Sequence, residues 1–503
     1  MKRRTFLQST FAAAAVAAVP GRRTLAGLYR PAPARPPDVP AVTGDGEAIT
    51  LARDDIADLA ARMRGPVLLR DDDGYGEARL VLNPSFDKYP ALIARPTGVA
   101  DVQAAVDFAR AYGVLLAVKC GGHSASGKST CDDGMMIDLS RFRATRVDPH
   151  ARKVWVAGGS LLGAVDHESM AHGLVTPMGT VSHTGVGGLV LGGGFGRVAR
   201  RFGLSIDNLL GVDIVTADGE LRHANPHENP DLYWAVRGGG GNFGIVTNFE
   251  FRLHPMQRQV IGGPIFFPLD RARDALALYG EYGPEAPDEL ALDYVMVSPP
   301  GGEDGMAGFG VCFSGPHDEA ERALAPVRKL GTPIVDGVGP IDYVALQRSG
   351  DIDDPRALGA YLKGGFVGEL PSALVAAIVE GFEAHPGRGT ALFFQQSGGA
   401  IGRVPEDATA FPHRHAFGNM MTNVDWPHGI DPSPHIDWIR SYWSTLVGLT
   451  GGLYTNDMAP DLTTADVNAN FRGNYERLVE VKNRFDSANL FRLNANVQPT
   501  ART

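Results

Sequence analysis

The sequence contains little cysteine, no excess of positive charge and no long apolar run in its main part. Only three of its 503 residues are cysteines, namely Cys120, Cys131 and Cys312. This odd and sparse set predicts no disulfide framework, and both a Cys120–Cys131 bridge and unpaired buried thiols are compatible with it. The net charge of −10 and the lack of a basic stripe argue against nucleic acid as a partner.

No apolar segment is long enough to span a bilayer, which takes about 20 residues, so no membrane span is predicted. The N-terminus combines a basic start at residues 2–4 with a short alanine-rich run at 11–19, which is typical of a signal peptide. Arg3-Arg4 resembles a twin-arginine signal, although such a pair can also occur by chance in a general secretory signal. We therefore expect the twin-arginine (Tat) machinery to export the protein to the bacterial periplasm or the medium.

Glycine, in contrast, is abundant: the chain has 63, and many of them are clustered between residues 121 and 244. Clustered glycine lets the backbone approach a ligand closely, so it indicates a cofactor site. A chain of 503 residues is longer than one hydrophobic core usually serves, and it predicts two large domains.

Short strands that alternate with helices indicate an α+β fold. Apolar periodicity predicts a helix over 101–112 and strands over 92–96, 114–118, 136–139, 153–157, 212–216 and 245–251. Further along, an amphipathic helix over 372–382 and an alternating stretch over 417–424 predict a sheet with helices on one face. The tail, 474–497, is expected to form a helix followed by an extended segment.

Three glycine loops occur between the predicted strands, at residues 121–127, 185–196 and 239–244. The third loop satisfies the dinucleotide pattern G-x-G-x-x-G, but a Rossmann fingerprint needs a helix after the loop, and a strand-like run follows here. Successive backbone N–H groups in such loops can hold phosphate oxygens. Together the loops predict an extended ligand that several of them contact.

These motifs resemble the FAD-binding domain of the vanillyl-alcohol oxidase/p-cresol methylhydroxylase (PCMH) superfamily. The matching segments are 89–90, 95–96, 121–124, 184–194, 203–209 and 229–240. The tail at 474–492 resembles the C-terminal motif of the berberine-bridge-enzyme-like branch. The resemblance extends over roughly residues 80–500.

The resemblance implies an α+β fold with a two-part, PCMH-type FAD-binding domain and a substrate domain whose antiparallel sheet is covered by helices. We expect a signal peptide at 1–30, a proline-rich linker at 31–48, the FAD-binding domain at 49–256, the substrate domain at 257–453, and a C-terminal segment at 454–503 that returns to the FAD domain.

By the same resemblance, His123 is expected to attach covalently to the flavin. Many relatives have a second link through a cysteine; Val181 stands at that position, so a single link is predicted. Thr184 occupies the position that controls oxygen access and resembles the oxidase choice. The other expected FAD-binding residues are Gly121, Gly122, Ser124, Gly127, Thr180, Gly185, Gly187, Gly188, Gly193, Asp207, Asn208, Gly241, Gly244, Ile245, Val246, Asn494 and Asn496.

Relatives take the substrate proton with a tyrosine from a Tyr-x-Asn segment or with a glutamate from a strand of the substrate domain. Tyr454 matches the tyrosine, whereas residues 419–426 contain no glutamate. Tyr454 is therefore the predicted proton acceptor, with a packing role as its alternative. The expected substrate contacts are Tyr361, Gln396, Asn419 and Asn423. Lys363, Gln395 and Arg414 also match family positions, and no metal is expected.

The predicted function is an FAD-dependent oxidase that takes a hydride from a small organic alcohol, sugar or amine and passes the electrons to O2, which gives hydrogen peroxide. Three alternatives stay open. The first is a dehydrogenase of the same fold that uses a quinone or another carrier, and the second is a flavin-binding protein without turnover. The third is an NADPH-dependent nucleotide-sugar reductase, but reductases of that type lack the covalent histidine that His123 matches here.

Overall fold

The computed structural model describes residues 37–299, 304–354, 356–382 and 387–500. The predicted signal peptide, 1–30, lies outside the described residues. Within these ranges, no helix is both long and apolar enough to cross a membrane.

The elements of the first part are β1 (Val39–Val42), β2 (Ala48–Leu51), α1 (Arg53–Arg62), β3 (Val67–Leu68), α2 (Tyr75–Ala78), β4 (Leu92–Ala94), α3 (Val99–Tyr112), β5 (Leu116–Lys119), β6 (Met135–Asp138), β7 (Thr145–Asp148), β8 (Lys153–Ala157), α4 (Leu162–Met170), β9 (Leu174–Val175), α5 (Val186–Gly192), α6 (Ala199–Phe202), β10 (Leu209–Val215), β11 (Leu221–Ala224), α7 (Pro230–Val236), β12 (Ile245–Arg252) and β13 (His254–Pro255).

The elements that follow are β14 (Gln259–Pro268), α8 (Ala272–Tyr282), β15 (Leu290–Ser298), β16 (Met306–Phe313), α9 (His317–Arg328), β17 (Val335–Asp336), β18 (Gly339–Asp342), α10 (Tyr343–Arg348), β19 (Leu358–Val367), α11 (Ser372–Gly381), β20 (Gly389–Gln396), β21 (Gly418–Pro427), α12 (Ser433–Leu446), α13 (Thr464–Asn470) and α14 (Tyr475–Phe485).

Three sheets organise these elements. The first has the order β3-β4-β6-β5, and its last three strands are parallel. The second is antiparallel, with the order β11-β10-β12-β8-β7. The third, here called the large sheet, is antiparallel with the order β17-β14-β16-β15-β20-β21-β19, and β18 also pairs with β14. Helices α8, α9, α11 and α12 share one apolar core with the large sheet. The predicted α+β fold is confirmed.

Part of the predicted linker is folded. From Val39 onward the chain forms the β1–β2 hairpin, in which Val39 pairs with Leu51. Ala41 and Leu51 are buried in the same core as α1 and α3. The proline at position 40 is tolerated because β1 has only one neighbouring strand.

Most predicted elements have bounds close to the observed ones. The strand over 153–157 matches β8, and the helix over 101–112 begins two residues earlier, at Val99. The buried Asp101 explains this start, since its carboxylate accepts hydrogen bonds from the N–H groups of Thr97, Arg64 and Gly65. After the third glycine loop comes the antiparallel strand β12, which confirms that the loop is not a Rossmann fingerprint.

The three cysteines are unpaired, and the Cys120–Cys131 bridge is not formed. Burial raises the pKa of the Cys120 thiol to about 11, and its sulfur donates to the carbonyl of Gly158 at 3.2 Å. The thiols therefore behave as packing groups.

Candidate active site

A cavity of about 440 Å³ lies between the glycine loops and the helix-free face of the large sheet. Its wall is built from residues of all three glycine loops, from segment 454–458 and from segment 491–495. On the sheet side the wall consists of Leu362, Phe393, Gln395 and Met421, one or two from each of β19, β20 and β21. We call the surface formed by these four side chains the sheet face.

The first two glycine loops touch each other. A Cβ atom on Gly121 would lie 2.3 Å from the backbone nitrogen of Gly185, and a Cβ on Gly185 would lie equally close to the nitrogen of Gly121. Such a distance is below van der Waals contact, so only glycine fits at either position. This contact places His123 of the first loop beside Thr184, which precedes Gly185.

Other glycines of the cavity wall face open space. No atom lies within 4 Å of the position that a Cβ on Gly188, Gly240 or Gly241 would take. Three side-chain oxygens of the wall, Ser129 Oγ, Thr455 Oγ1 and Asn494 Oδ1, are buried without a hydrogen-bond partner in the described ranges. The cavity thus offers exposed backbone at its glycines and side-chain oxygens that have no partner. A long ligand with many polar groups, such as FAD, fits this arrangement.

Filling this space should block the cofactor. Gly188 lies in helix α5, where leucine is a better helix former than glycine. We expect Gly188→Leu to fold, with the far-UV circular dichroism of the wild type, but to purify without flavin absorbance. Its melting temperature should fall below that of the wild type, because a bound cofactor stabilises the folded state. Gly76→Leu is the matched control, because Gly76 is also helical and unobstructed but lies outside the cavity wall. Wild-type flavin content in Gly188→Leu would contradict this placement of FAD.

His123 is in the cavity wall and is held by a second histidine. Its Nε2 lies 2.7 Å from Nδ1 of His183, and its Nδ1 lies 3.4 Å from the hydroxyl of Thr184. The backbone N–H of Ile352 donates to Nε2 of His183 at 3.2 Å. His183 Nδ1 therefore has the proton and donates to His123 Nε2. Burial, and secondarily the neighbouring His183, lower the pKa of His123 to about 4, so its ring is neutral at physiological pH.

Tyr454 also lines the cavity, but its hydroxyl is engaged. The oxygen accepts hydrogen bonds from the N–H of Gly194 at 2.8 Å and from Nδ2 of Asn456 at 2.7 Å. The ring packs edge-on against Phe195. Burial, and then the negative charge of Asp457, hold the pKa of Tyr454 well above its usual value. As the predicted proton acceptor, Tyr454 would thus be a phenol at neutral pH.

Asp457, which sequence reasoning missed, contributes a carboxylate to the cavity wall. Nδ2 of Asn419 donates to Asp457 Oδ2 at 2.8 Å and to Gln395 Oε1 at 3.0 Å. Burial raises the pKa of Asp457 to about 7. The only feature of the sequence that could have identified Asp457 as a site residue is its position, three residues after Tyr454. Asn419 is fully buried behind the wall and reaches the cavity only through these two partners.

The expected substrate contacts need correction. Paired residues of antiparallel strands point to the same side of a sheet, and neighbours along a strand point to opposite sides. Gln395 pairs with Asn419 and faces the cavity, so Gln396 faces the helices, where it accepts from the N–H of Leu292. Leu362 lines the cavity, and Tyr361 packs beneath α12 instead. Asn423 donates to Asp425 and is not part of the cavity wall.

Some expected FAD-binding residues also lie outside the wall. Asp207 is paired with the fully buried Arg414 at 2.8 Å. The Asn208 amide donates to the carbonyls of Phe202 and Leu204. Both are used to hold the protein together, which corrects the expectation that they contact FAD. Gly127, Gly193 and Asn496 are likewise absent from the cavity wall.

The remaining expected residues are brought together around the cavity. They are Gly121, Gly122, His123, Ser124, Thr180, Val181, Thr184, Gly185, Gly187, Gly188, Gly241, Gly244, Ile245, Val246, Tyr454 and Asn494. Among the described residues, no group of histidine, cysteine or acidic side chains is arranged to hold a metal ion.

Two family models match the chain. An FAD binding domain matches residues 90–225, and the family described as berberine and berberine like matches residues 454–498. An FAD-linked oxidoreductase of Dictyostelium discoideum is 31% identical over 414 residues, which is 82% of this chain and 89% of the relative.

Solved structures agree with these matches. The 6-hydroxy-D-nicotine oxidase of Arthrobacter nicotinovorans superimposes with a TM-score of 0.79 at 27% identity, covering 87% of this chain and 98% of its own. The glucooligosaccharide oxidase of Acremonium strictum, which has a 6-S-cysteinyl, 8α-N1-histidyl FAD, gives a TM-score of 0.80 at 25% identity, with 89% and 100% covered. The chain belongs to the berberine-bridge-enzyme-like FAD-linked oxidoreductases.

Proposed function

We propose that this oxidoreductase is an oxidase with FAD attached covalently through His123 alone. In this proposal it takes a hydride from a small organic alcohol, sugar or amine and passes the electrons to O2, with release of hydrogen peroxide. The observation that supports it best is the neutral His123 imidazole in the cavity wall, held by His183 at Nε2. His183 occupies Nε2, so Nδ1 is the nitrogen left for attachment; it carries the ring proton in this arrangement and gives that proton up when the bond to the flavin forms.

A single attachment is supported by the residues near His123. Val181 lines the cavity and has no nucleophilic atom. The Cys120 thiol is part of the cavity wall, but it packs against the second glycine loop, where a Cβ on Gly185 would meet its sulfur at 2.5 Å, and it donates to the carbonyl of Gly158. Its raised pKa keeps it a thiol, whereas the thiolate is the nucleophile. Neither residue offers a second link.

When bound, FAD supplies the acceptor for the hydride and the route to oxygen. The protein contributes the sheet face, which orients the substrate, and Thr184, whose small side chain lines the cavity next to His123. A residue of this size leaves room for O2 beside the flavin, which favours the oxidase over the dehydrogenase.

The acceptor is tested by following reoxidation of the reduced enzyme. Dithionite-reduced holoenzyme is expected to recover its oxidised absorbance on mixing with air-saturated buffer at least as fast as the enzyme turns over, with one hydrogen peroxide formed per flavin. Reoxidation over many minutes, together with fast oxidation by a soluble quinone, would show a dehydrogenase. If no alcohol, sugar or amine bleaches the flavin anaerobically, the protein is a flavin-binding protein without turnover.

We also propose export to the periplasm or the medium, supported by the basic start and alanine-rich run of residues 2–19. A Tat substrate folds before export, which lets FAD be loaded in the cytoplasm. Fractionation of producing bacteria tests this proposal: Arg3→Lys/Arg4→Lys should retain the enzyme in the cytoplasm, and export of this variant would contradict it.

A further inference from the structure

The carboxylate of Asp457 is oriented by a relay of buried amides. Asp457 ends the single helical turn Thr455–Asp457, and its backbone N–H donates to the carbonyl of Tyr454 at 2.9 Å. Both N–H groups of the Asn419 amide are used, one on Asp457 Oδ2 and one on Gln395 Oε1. These bonds fix Oδ2, and they leave Oδ1 with no hydrogen-bond donor in the part of the chain that the structure describes.

The surface next to this carboxylate is apolar. Leu362, Phe393 and Met421 share the side of the large sheet on which Asn419 lies, because Gln395 and Phe393 alternate with helix-facing residues along β20. Only Gln395 adds a polar side chain to the sheet face. A sugar would bring many hydroxyl groups against this surface and leave them without partners, which is costly.

We propose that Asp457 is the proton acceptor for an alcohol with an apolar body, and that Asn419 is the residue that positions it. This inference rests on the proposed function and narrows its substrate class. The alcohol would lie on the sheet face with its hydroxyl at Asp457 Oδ1. Tyr454 would then be a structural residue.

The reaction balances with these groups. The substrate O–H bond breaks and its proton moves to Asp457 Oδ1, while the adjacent C–H bond breaks and its electron pair leaves as hydride to the flavin. The alcohol is oxidised to an aldehyde or ketone, and the flavin is reduced. A neutral amine needs no such base, because the nitrogen lone pair stabilises the cation that remains after hydride loss. A buried carboxylate therefore favours an alcohol.

Few charged groups face Asp457. Helix α5, which packs against the turn, has no titratable side chain, and Lys363 of β19 is paired with Asp461 on the opposite side of the sheet. Asp425 of β21 lies at the far end of its strand and accepts from Asn423. The remaining titratable groups of the cavity wall are Cys120, His123, Lys128 and Tyr454. With no cation paired to it in the described ranges, Asp457 keeps its raised pKa of about 7 and is ionised above that pH.

The test measures anaerobic flavin reduction in holoenzyme between pH 5 and 9, with aryl and alkyl carbinols, the corresponding amines, and mono- and oligosaccharides. We expect carbinols to reduce the flavin, with a rate that rises with pH to a plateau above about 7. Asp457→Asn should lower this rate by about 10²- to 10⁴-fold, the usual effect of losing a general base, and should abolish the rise. Its flavin content should stay at the wild-type level.

Asp166→Asn is the matched control. Asp166 is buried, its pKa is also raised to about 7 by burial, and it also accepts from a side-chain amide, Gln347 Nε2 at 3.2 Å, but it lies outside the cavity wall. A group whose pKa is raised on folding loses its stabilising effect as the pH rises from the unfolded to the folded value. At pH 8 both variants should therefore have a higher melting temperature than the wild type, and this difference in melting temperature should be smaller at pH 5. Only Asp457→Asn should lose activity.

The outcomes separate the inference from the proposed function. If no compound bleaches wild-type flavin, the proposed function fails and the inference falls with it. If wild-type flavin is bleached but Asp457→Asn keeps the rate within threefold and retains the pH rise, only the inference is overturned. Loss of the rise in Tyr454→Phe but not in Asp457→Asn would assign the proton to Tyr454. Bleaching by amines or sugars alone would overturn the substrate class.

Discussion

Replacing His123 by alanine is expected to free all the flavin when the protein is denatured. Wild-type protein should give a fluorescent band on a denaturing gel after acid treatment, and the His123→Ala band should be dark. The reason is that Val181 offers no nucleophile and Cys120 is a half-buried thiol that donates to the carbonyl of Gly158, so we expect no second link to hold the cofactor.

His223→Gln is the control for this experiment. His223 lies on the second sheet, where it pairs with Asp213 at 2.7 Å, and it does not contact the cavity. Its band should be as fluorescent as that of the wild type. A fluorescent His123→Ala band would show that another residue links the flavin, and a colourless wild-type band with yellow supernatant would show that FAD is bound without a covalent bond.

Asp207→Ala is expected to produce the largest loss of stability among the substitutions considered. The guanidinium of Arg414 is fully buried and its Nη1 lies 2.8 Å from Asp207 Oδ2. Removal of the carboxylate leaves a buried charge without its counter-ion, which costs about 3–5 kcal/mol. The free energy of unfolding, measured by denaturant titration of the holoenzyme, should fall by this amount.

Asp231→Ala breaks an ion pair of the same type on the surface. Asp231 and Arg477 lie 2.9 Å apart, and each side chain is about half exposed, at 51% and 44%. Solvent screens such a pair, so its loss should cost less than about 1 kcal/mol. Equal effects of the two substitutions would contradict a structural role for Asp207 and restore the expectation that it serves the cofactor.

Much of the fold follows from local patterns in the sequence. Strand β8 and helix α3 were predictable because apolar periodicity reports which side of an element is buried. The folded hairpin at β1 was not, since the five prolines of residues 31–40 hide a strand whose burial depends on α1 and α3. Packing between segments that are distant in sequence cannot be recognised from a local sequence pattern.

Site residues that belong to a contiguous sequence motif could be predicted. Site residues whose direction depends on the pairing register of two strands could not. The glycine loops and His123 are contiguous motifs, and they line one cavity. For β20, the resemblance indicated Gln396 as a substrate contact, but the pairing of Gln395 with Asn419 turns Gln395 to the cavity and Gln396 to the helices. Asp207 was misassigned because its partner, Arg414, is 207 residues away in sequence.

The contact between Gly121 and Gly185 has a consequence for redesign. Since a side chain at either glycine would strike the backbone of the other loop, the segment of His123 and the segment of Thr184 form one unit that tolerates little substitution. The sheet face belongs to three strands that contribute nothing to this unit. New substrates should therefore be reached by diversifying Leu362, Phe393 and Met421, while the oxidising half of the enzyme is left as it is.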